Sequence, residues 1–263
     1  MVSRTVKEAR GIAATDDAVW VGSSESDTLT RIDPTTNEIV AEVPLPAETA
    51  VDGVTADPNG AWVVTDESQL VHIDAATNEV VSETPIDGQF PDIAVGDDAL
   101  WVSPNADEGA QIERLDRTSG ETTTIDLSVD DRVASGQSIS LGPVAAAGGA
   151  FWVVRERSSF EPLSLGVDLC RVDSGSEDYA CAALDFFDDI SSISSGEGAL
   201  WATTLRDEAH LVLRIDPDTL EVTAELDVPA ESFFDIAAGE AGAWATNETW
   251  RRWGESAVFK ITD

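Results

Sequence analysis

Apolar runs only a few residues long, separated by clusters of Gly, Pro, Asn, Asp, Ser and Thr, follow one another along the whole chain. The alternation of apolar and polar positions fits strands, and no stretch sustains a helical period. Six times a small residue and an apolar one lead into a tryptophan: Ala18-Val19-Trp20, Gly60-Ala61-Trp62, Ala99-Leu100-Trp101, Ala150-Phe151-Trp152, Ala199-Leu200-Trp201 and Gly242-Ala243-Trp244. Eight positions before each tryptophan stands a β-branched residue: Ile12, Val54, Ile93, Val144, Ile193 and Ile236. Successive tryptophans lie 42, 39, 51, 49 and 43 residues apart. A recurrence at this spacing is the mark of a repeat architecture.

Further along each unit a basic residue precedes an aliphatic one. These triplets read Arg31-Ile32-Asp33, His72-Ile73-Asp74, Arg114-Leu115-Asp116, Arg171-Val172-Asp173, Arg214-Ile215-Asp216 and Lys260-Ile261-Thr262. A turn cluster follows, such as Pro34-Thr35-Thr36-Asn37, and then another β-rich run, such as Glu38-Ile39-Val40-Ala41-Glu42-Val43. Each unit therefore supplies four strands, A to D. Strand A carries the β-branched marker, B the tryptophan, C the basic triplet and D the run after the turn. Strands A and B read as nearly continuously apolar, which predicts cover on both faces, while D alternates as an outer edge does. Four-stranded antiparallel units at this period are propeller blades. The expected fold is all-β, a six-bladed β-propeller.

The sixth unit stops after its C strand, Ser256 to Ile261, and the run Val2-Ser3-Arg4-Thr5-Val6-Lys7-Glu8 precedes the first A strand. Placed as the missing D strand, that run closes the ring and removes an exposed edge. A single domain spans 1–263, with units over 10–50, 51–89, 90–137, 138–187, 188–232, and 233–263 together with 2–8. The six tryptophans are expected to pack between blades, each burying ~150–250 Å². The recurring Arg, His or Lys is expected to pair with carboxylates on strand D or on the next blade.

Composition changes the picture of the surface. Among 263 residues, 51 are acidic and 15 basic, for a formal net charge of −36, and Lys7 and Lys260 are the only lysines. The acids are dispersed through every segment and form no tail. A nucleic-acid binder needs a positive footprint, and an anionic membrane would repel this chain. Apolar runs fall far short of a membrane span. Dispersed carboxylates with scarce lysine fit a protein made for molar salt, which screens the self-repulsion. No basic segment followed by an apolar one is read as a leader. The expected setting is the cytoplasm of a halophile, or the extracellular space after leader removal.

The stretch from Val19-Trp20-Val21-Gly22 through Thr30-Arg31-Ile32-Asp33-Pro34-Thr35-Thr36-Asn37-Glu38-Ile39-Val40-Ala41, with its five counterparts, resembles the YVTN/virginiamycin B lyase-like propeller superfamily, in a haloarchaeal, acidic form. The resemblance covers essentially the whole chain and implies the propeller architecture. For the lyase it implies Mg²⁺ with histidine and glutamate at the channel mouth, and this chain departs from that set. Its two histidines are His72, in the ordinary basic position of a C strand, and His210, at the start of the fifth unit's C strand. Where the lyase repeat reads Trp-Phe-Thr-Glu, the residues three after each tryptophan are Ser23, Thr65, Pro104, Arg155, Thr204 and Asn247. None is Glu, so the lyase's catalytic residues are not carried over.

Propeller topology puts the starts of the A strands and the B–C loops on one face, around the mouth of a central channel. Asp52, Asp92 and Asp235 fall at such starts, where three carboxylates would suit Ca²⁺ or Mg²⁺. The B–C loop of the sixth unit, Asn247-Glu248-Thr249-Trp250-Arg251-Arg252-Trp253-Gly254, holds two tryptophans outside the repeat. The fourth unit has a similarly enlarged B–C loop from Arg155-Glu156-Arg157 onward. Trp250, Arg251, Arg252 and Trp253, with Arg155, Arg157 and Arg10, would make a basic and aromatic patch for an unknown protein or a small anionic or aromatic ligand. The other reading of the sixth-unit loop is a fold-back on its own blade. No Gly-x-Ser-x-Gly and no phosphate-cradling loop is present. Cys170 and Cys181 flank the turn Ser174-Gly175-Ser176-Glu177 and would face each other on neighbouring strands, as a disulfide or as two free buried thiols.

The leading expectation is a monomeric, non-catalytic binding module without a cofactor, its ligand on the channel-mouth face. The alternative is a metal-dependent propeller lyase or lactone hydrolase using Asp52, Asp92, Asp235 and Asn247 with Ca²⁺ or Mg²⁺. If the acidic surface is an adaptation to salt, the thermal unfolding midpoint will be higher in molar KCl than in dilute buffer. Equal midpoints in the two scans would contradict it.

Overall fold

In the computed structural model the described residues are 3–6, 9–23, 26–46, 49–86, 92–103, 110–128, 133, 137–147, 149–160, 163–173, 175, 178–184, 189–206, 209–227, 235–239, 242–248 and 256–261. The chain opens with β1 (Ser3–Val6). Blade 1 is β2 (Ala9–Ala14), β3 (Val19–Ser23), β4 (Thr28–Ile32) and β5 (Ile39–Pro44). Blade 2 is β6 (Val51–Asp57), β7 (Gly60–Thr65), β8 (Gln69–Asp74) and β9 (Glu79–Pro85). Blade 3 is β10 (Asp92–Val95), β11 (Ala99–Ser103), β12 (Gln111–Asp116) and β13 (Thr122–Asp126). Blade 4 is β14 (Ser138–Ala147), β15 (Ala150–Phe160), β16 (Leu163–Asp173) and β17 (Tyr179–Ala183). Blade 5 is β18 (Asp189–Gly196), β19 (Ala199–Arg206), β20 (Ala209–Ile215) and β21 (Val222–Asp227). Blade 6 is β22 (Asp235–Gly239), β23 (Gly242–Glu248) and β24 (Ser256–Ile261), with β1 as its outer strand.

The chain is a six-bladed β-propeller of four-stranded antiparallel sheets. Ser3 lies opposite Phe259 and Val6 opposite Ser256, so the first strand latches the last sheet. Strands β3 and β7 are buried at every residue, having a strand on each edge and a blade on each face. The inner A strands are covered only in part, as in β6, where Val51 and Val54 are buried and the other five residues half-buried. Continuous cover was the expectation for these strands; the central channel leaves one side of them open to solvent.

Between the C and D strands an aspartate shapes the turn. Asp33 Oδ1 accepts hydrogen bonds from the amides of Thr35 and Thr36. Asp74, Asp116 and Asp216 accept in the same way from residues two and three positions on. These amides, led by those of Thr36, Thr77, Ser119 and Thr219, hold the four carboxyls below the ordinary carboxylate range. Each turn then passes through a left-handed residue: Asn37, Asn78, Gly120 or Leu220. Asn and Gly adopt that region at little cost.

Every seam between blades holds one repeat tryptophan, and none of the six is more than 5% exposed. Trp20 packs with Val54, Val63 and Ile73 of blade 2, and Trp62 with Ile93 and Leu100 of blade 3. Trp101 packs with Phe151 and Val153 of blade 4, and Trp152 with Leu200 and Leu213 of blade 5. Trp201 meets Ile236 and Ala245 of blade 6, and Trp244 meets Ile12 and Val19 of blade 1.

Directly across the strand pair from each tryptophan stands the recurring basic residue: Arg31, His72, Arg114, Arg171, Arg214 and Lys260. In four blades the cation lies over that indole. Arg31 lies 5.0 Å above Trp20, Lys260 5.3 Å above Trp244, Arg114 5.8 Å above Trp101 and Arg214 5.9 Å above Trp201. These separations fall within reach of cation–π attraction. Among the described residues their carboxylate partners end the same C strand, as Asp116 does for Arg114 and Asp173 for Arg171, or lie at turns, as in Arg114–Asp98 and, on the next blade as expected, Arg171–Asp218. In blade 2, His72 stacks on Trp62 at 4.3 Å, and the cation comes instead from blade 3, where Arg117 sits 4.8 Å from the same ring. Burial, with Arg117 adding to it, keeps the His72 pKa below its ordinary value against the pull of Asp57 and Asp74.

Truncating a seam indole removes area from two blades at once. Trp20→Ala should lose about 3–5 kcal/mol of stability, read as a lower urea midpoint; a change below about 1 kcal/mol would show that the seam does not rest on the ring.

Candidate functional site

The inner strands enclose a central channel with a cavity of about 940 Å³. Its lining is mainly small residues, with the carboxylates Asp16, Asp52, Asp57, Asp92, Asp97, Glu197 and Asp235 and the cation Arg117. At the mouth, the residue nine before each tryptophan forms a ring: Gly11, Gly53, Asp92, Pro143, Ser192 and Asp235. Three of its side chains tie one blade to the next. Asp235 Oδ2 accepts from the Ile12 amide at 2.9 Å, joining blade 6 to blade 1. Asp92 Oδ2 accepts from the Val144 amide at 3.2 Å, joining blades 3 and 4. Ser192 Oγ accepts from the Ile236 amide at 3.1 Å and donates to Asp235 Oδ1, joining blades 5 and 6.

The need for these latches is local. A β-bulge inserts a residue and leaves ladder groups unpaired. The pairing of β2 with β3 shifts between Ala9 and Ile12, and that of β14 with β15 between Leu141 and Val144. The amides of Ile12 and Val144 follow those shifts, and a buried amide without a partner is costly. The preceding blade supplies the acceptor. At Gly11 the backbone is left-handed (φ +73), and a Cβ there would come within 3.0 Å of Val54 Cγ2. Blade 1 therefore approaches blade 2 by backbone, where blades 3, 5 and 6 use a side chain.

Burial, with the charge of Asp235 adding to it, raises the Asp92 carboxyl to about 7, against the amides of Ile93 and Val144. Burial also raises Asp235, to about 6, against hydrogen bonds from Ser192, Ile12 and Ile236. Asp52 stands one repeat position earlier, inside the shift between Val51 and Gly53 in the pairing of β6 with β7. Sequence spacing put the three carboxylates on one rim, but strand sides alternate and the bulge offsets Asp52 from the other two. Among the described residues, no three His, Cys, Asp or Glu side chains are grouped so as to hold a metal ion.

The enlarged segment of blade 4 is an arm of paired strands and not a loop. β14, β15 and β16 run on past the blade, with Ser138 opposite Ser158 and Phe160 opposite Leu163. Arg155, expected as a ligand contact, is fully buried, as is Asp168. Its Nε and Nη2 donate to Asp168 Oδ2 at 3.2 and 2.7 Å, and its Nη1 to the Leu127 carbonyl at 2.9 Å. Arg157 donates to both oxygens of Asp168, at 2.7 and 3.1 Å. Both arginines thus anchor the arm, because a buried carboxylate needs cationic donors in reach. The guanidinium of Arg157 lies over Gly166, where a Cβ would meet its Nη2 at 2.6 Å. Leu165, near the tip, is 79% exposed.

Arg10 belongs to β2 and Asn247 to β23, but their side chains lie outside the described ones. Trp250, Arg251, Arg252 and Trp253 lie outside the described residues altogether. Cys170 and Cys181 stand opposite each other on β16 and β17 and are joined in a disulfide. The mouth latches and the Arg155–Asp168–Arg157 cluster escaped the sequence reading. For the latches a signal was available: Asp92, Ser192 and Asp235 each stand nine residues before a repeat tryptophan, namely Trp101, Trp201 and Trp244.

No family model matches the chain, and no curated protein matches it in sequence. Solved structures match it in shape. Hydrazine synthase from Kuenenia stuttgartiensis superposes with a TM-score of 0.62 at 13% identity, covering 96% of this chain and 83% of that one. The structure of U3-55K gives 0.61 at 7% identity, covering 98% of both chains. The WD40 repeats of RRP9 give 0.62 at 7% identity, covering 99% of this chain and 97% of that one. The likeness is one of fold. Among the described residues, no helix is long and apolar enough to cross a membrane.

The raised mouth carboxyls set a pH dependence. Between the ordinary Asp value of 3.8 and about 7, folded Asp92 keeps a proton that the unfolded chain has released. Stability from this group is therefore full at low pH and lost as pH rises through that window. Asp92→Asn lacks this loss, so its thermal midpoint relative to wild type should climb between pH 4 and pH 8, by the equivalent of about 4 kcal/mol. A flat difference across that range would refute the shift.

Proposed function

We propose that this chain is a non-catalytic binding module that receives a protein or a small anionic or aromatic ligand on its channel-mouth face. The observation that carries the reading is the state of the mouth carboxylates. Asp92 and Asp235 accept backbone amides of neighbouring blades and so hold the ring together, an occupation that competes with metal ligation or proton transfer. The two histidines add no reactive pair there, since His72 stacks on Trp62 in a seam. Two additions to the repeat stand out: the blade 4 arm with its exposed Leu165 and, in the sequence, the Trp250-Arg251-Arg252-Trp253 segment that follows β23.

The fold shared with WD40 repeats favours recognition over chemistry, because propellers offer a rigid rim on which loops can vary. The repeat pattern Trp20 to Ala41 adds the likeness to YVTN/virginiamycin B lyase-like propellers, and the net charge of −36 a setting of high salt. In this reading the guanidiniums of Arg251 and Arg252 pair with an anionic or aromatic group, and Trp250 and Trp253 stack against it.

A thermal-shift screen in molar KCl tests the proposal, with small aromatic acids, inorganic anions, Ca²⁺ and Mg²⁺ as probes. An aromatic acid or anion should stabilise the wild type, and Arg251→Ala with Arg252→Ala should abolish the shift. Stabilisation by Mg²⁺ or Ca²⁺ that survives those substitutions but disappears in Asp92→Asn with Asp235→Asn would overturn it in favour of the metal-dependent lyase.

A further inference from the structure

Blade 4 differs from the other blades in how its outer strand is held. β17 reads Tyr179-Ala180-Cys181-Ala182-Ala183 and contains no β-branched residue. Every other outer strand has at least two, such as Ile39, Val40 and Val43 in β5 or Val222 and Thr223 in β21. None of the five residues of β17 is buried. A strand of this composition has little preference for a pleated edge. What it has instead is a covalent bond: fully buried Cys170 stands in register with half-buried Cys181, their Cα atoms 4.0 Å apart.

The same register leads to the arm. Asp168 lies opposite Ala183, two residues along from Cys170. Side chains alternate along a strand, so Cys170 and Asp168 point to the same face. On one side of the disulfide lies the apolar seam of Trp101, Phe151 and Val172. On its other side lies Asp168 with Arg155 and Arg157. The disulfide therefore sits at the junction between a packed blade and the charge cluster that anchors the extension.

We propose that Cys170–Cys181 is a redox-operated clasp: reducing it frees the outer strand of blade 4 and, through Asp168, loosens the arm, while the remaining blades stay closed. The reductant is a dithiol. One of its thiolates attacks Sγ of Cys181, the S–S bond breaks, and Cys170 leaves as a thiolate that takes up a proton. The second thiol of the reductant then displaces Cys181 from the mixed disulfide. Two cysteine thiols and one oxidised reductant result, with two electrons and two protons passed to the protein. After cleavage, β17 keeps its ladder hydrogen bonds, the packing of half-buried Tyr179 and Ala182 against the blade cores, and the Leu184 amide, which donates to the Val167 carbonyl. A separation of 11 residues closes only a short loop, so the effect of losing the bond is concentrated nearby.

Hydrogen–deuterium exchange on the full chain, before and after dithiothreitol, reads the clasp, with alkylation confirming two free thiols. Amides 179–184 should exchange about ten-fold faster after reduction and those of 156–168 several-fold faster, with β3 and β7 unchanged. Equal protection of 179–184 in both forms overturns the proposal. So does uniform acceleration over all blades, which would make the bond a global staple. Ala180→Val with Ala183→Val, at two exposed positions, supplies the missing β-branched residues. In the reduced protein this pair should restore protection at 179–184, and failure to restore it would sink the weak-strand argument.

Discussion

The fold depends on an indole held between two blades and covered from its own sheet by a cation. A propeller blade has little core of its own, since its sheet is only four strands wide and both faces need cover. Each seam supplies that cover through one tryptophan, backed by aliphatic residues of the next blade. The cross-strand Arg, His or Lys shields the ring while its polar end stays near water or a turn carbonyl, as Arg31 does with Ala75. Blade 2 shows that the arrangement is a physical requirement and not a fixed residue. There His72 is too short to carry the charge outward, and Arg117 of blade 3 covers Trp62 from the far side of the seam.

Ring closure adds a second constraint. Six sheets in a circle leave no free inner edge to adjust, so bulges in the inner strands absorb the curvature. The amides thus freed have to be met from the neighbouring blade. Asp235 and Asp92 meet those of Ile12 and Val144, and the cost is visible in carboxyls raised to about 6 and about 7. The mouth of the channel is therefore part of the scaffold. The blade 4 arm is added around it, and its Arg155–Asp168–Arg157 cluster, centred on a buried carboxylate, gives a thin extension a fixed base.

Composition acts at another level. Carboxylates that shape C–D turns, such as Asp33 and Asp216, are held ionised by amide donors, so part of the acidity serves the backbone. The rest is dispersed over the surface and concerns the solvent, because exposed charges of one sign repel unless salt screens them.

The sequence by itself determined the architecture: six units, four strands in each, a tryptophan per seam and the first strand closing the last sheet. These follow from local pattern, because period-2 alternation, turn residues and a repeated indole constrain every blade alike. The cysteine facing was legible for the same reason, since a short turn sets the register of its hairpin. Only the tertiary structure decided what the individual polar residues do. Arg155 and Arg157 read as surface cations, yet strand pairing turns both onto buried Asp168 and buries Arg155 with it. Asp52 reads as a companion of Asp92 and Asp235 and lines the same cavity, yet it occupies a bulge, one repeat position before theirs. Whether a charged side chain meets solvent, an amide or another charge depends on which blade arrives beside it, and that is a property of the closed circle that no single repeat contains.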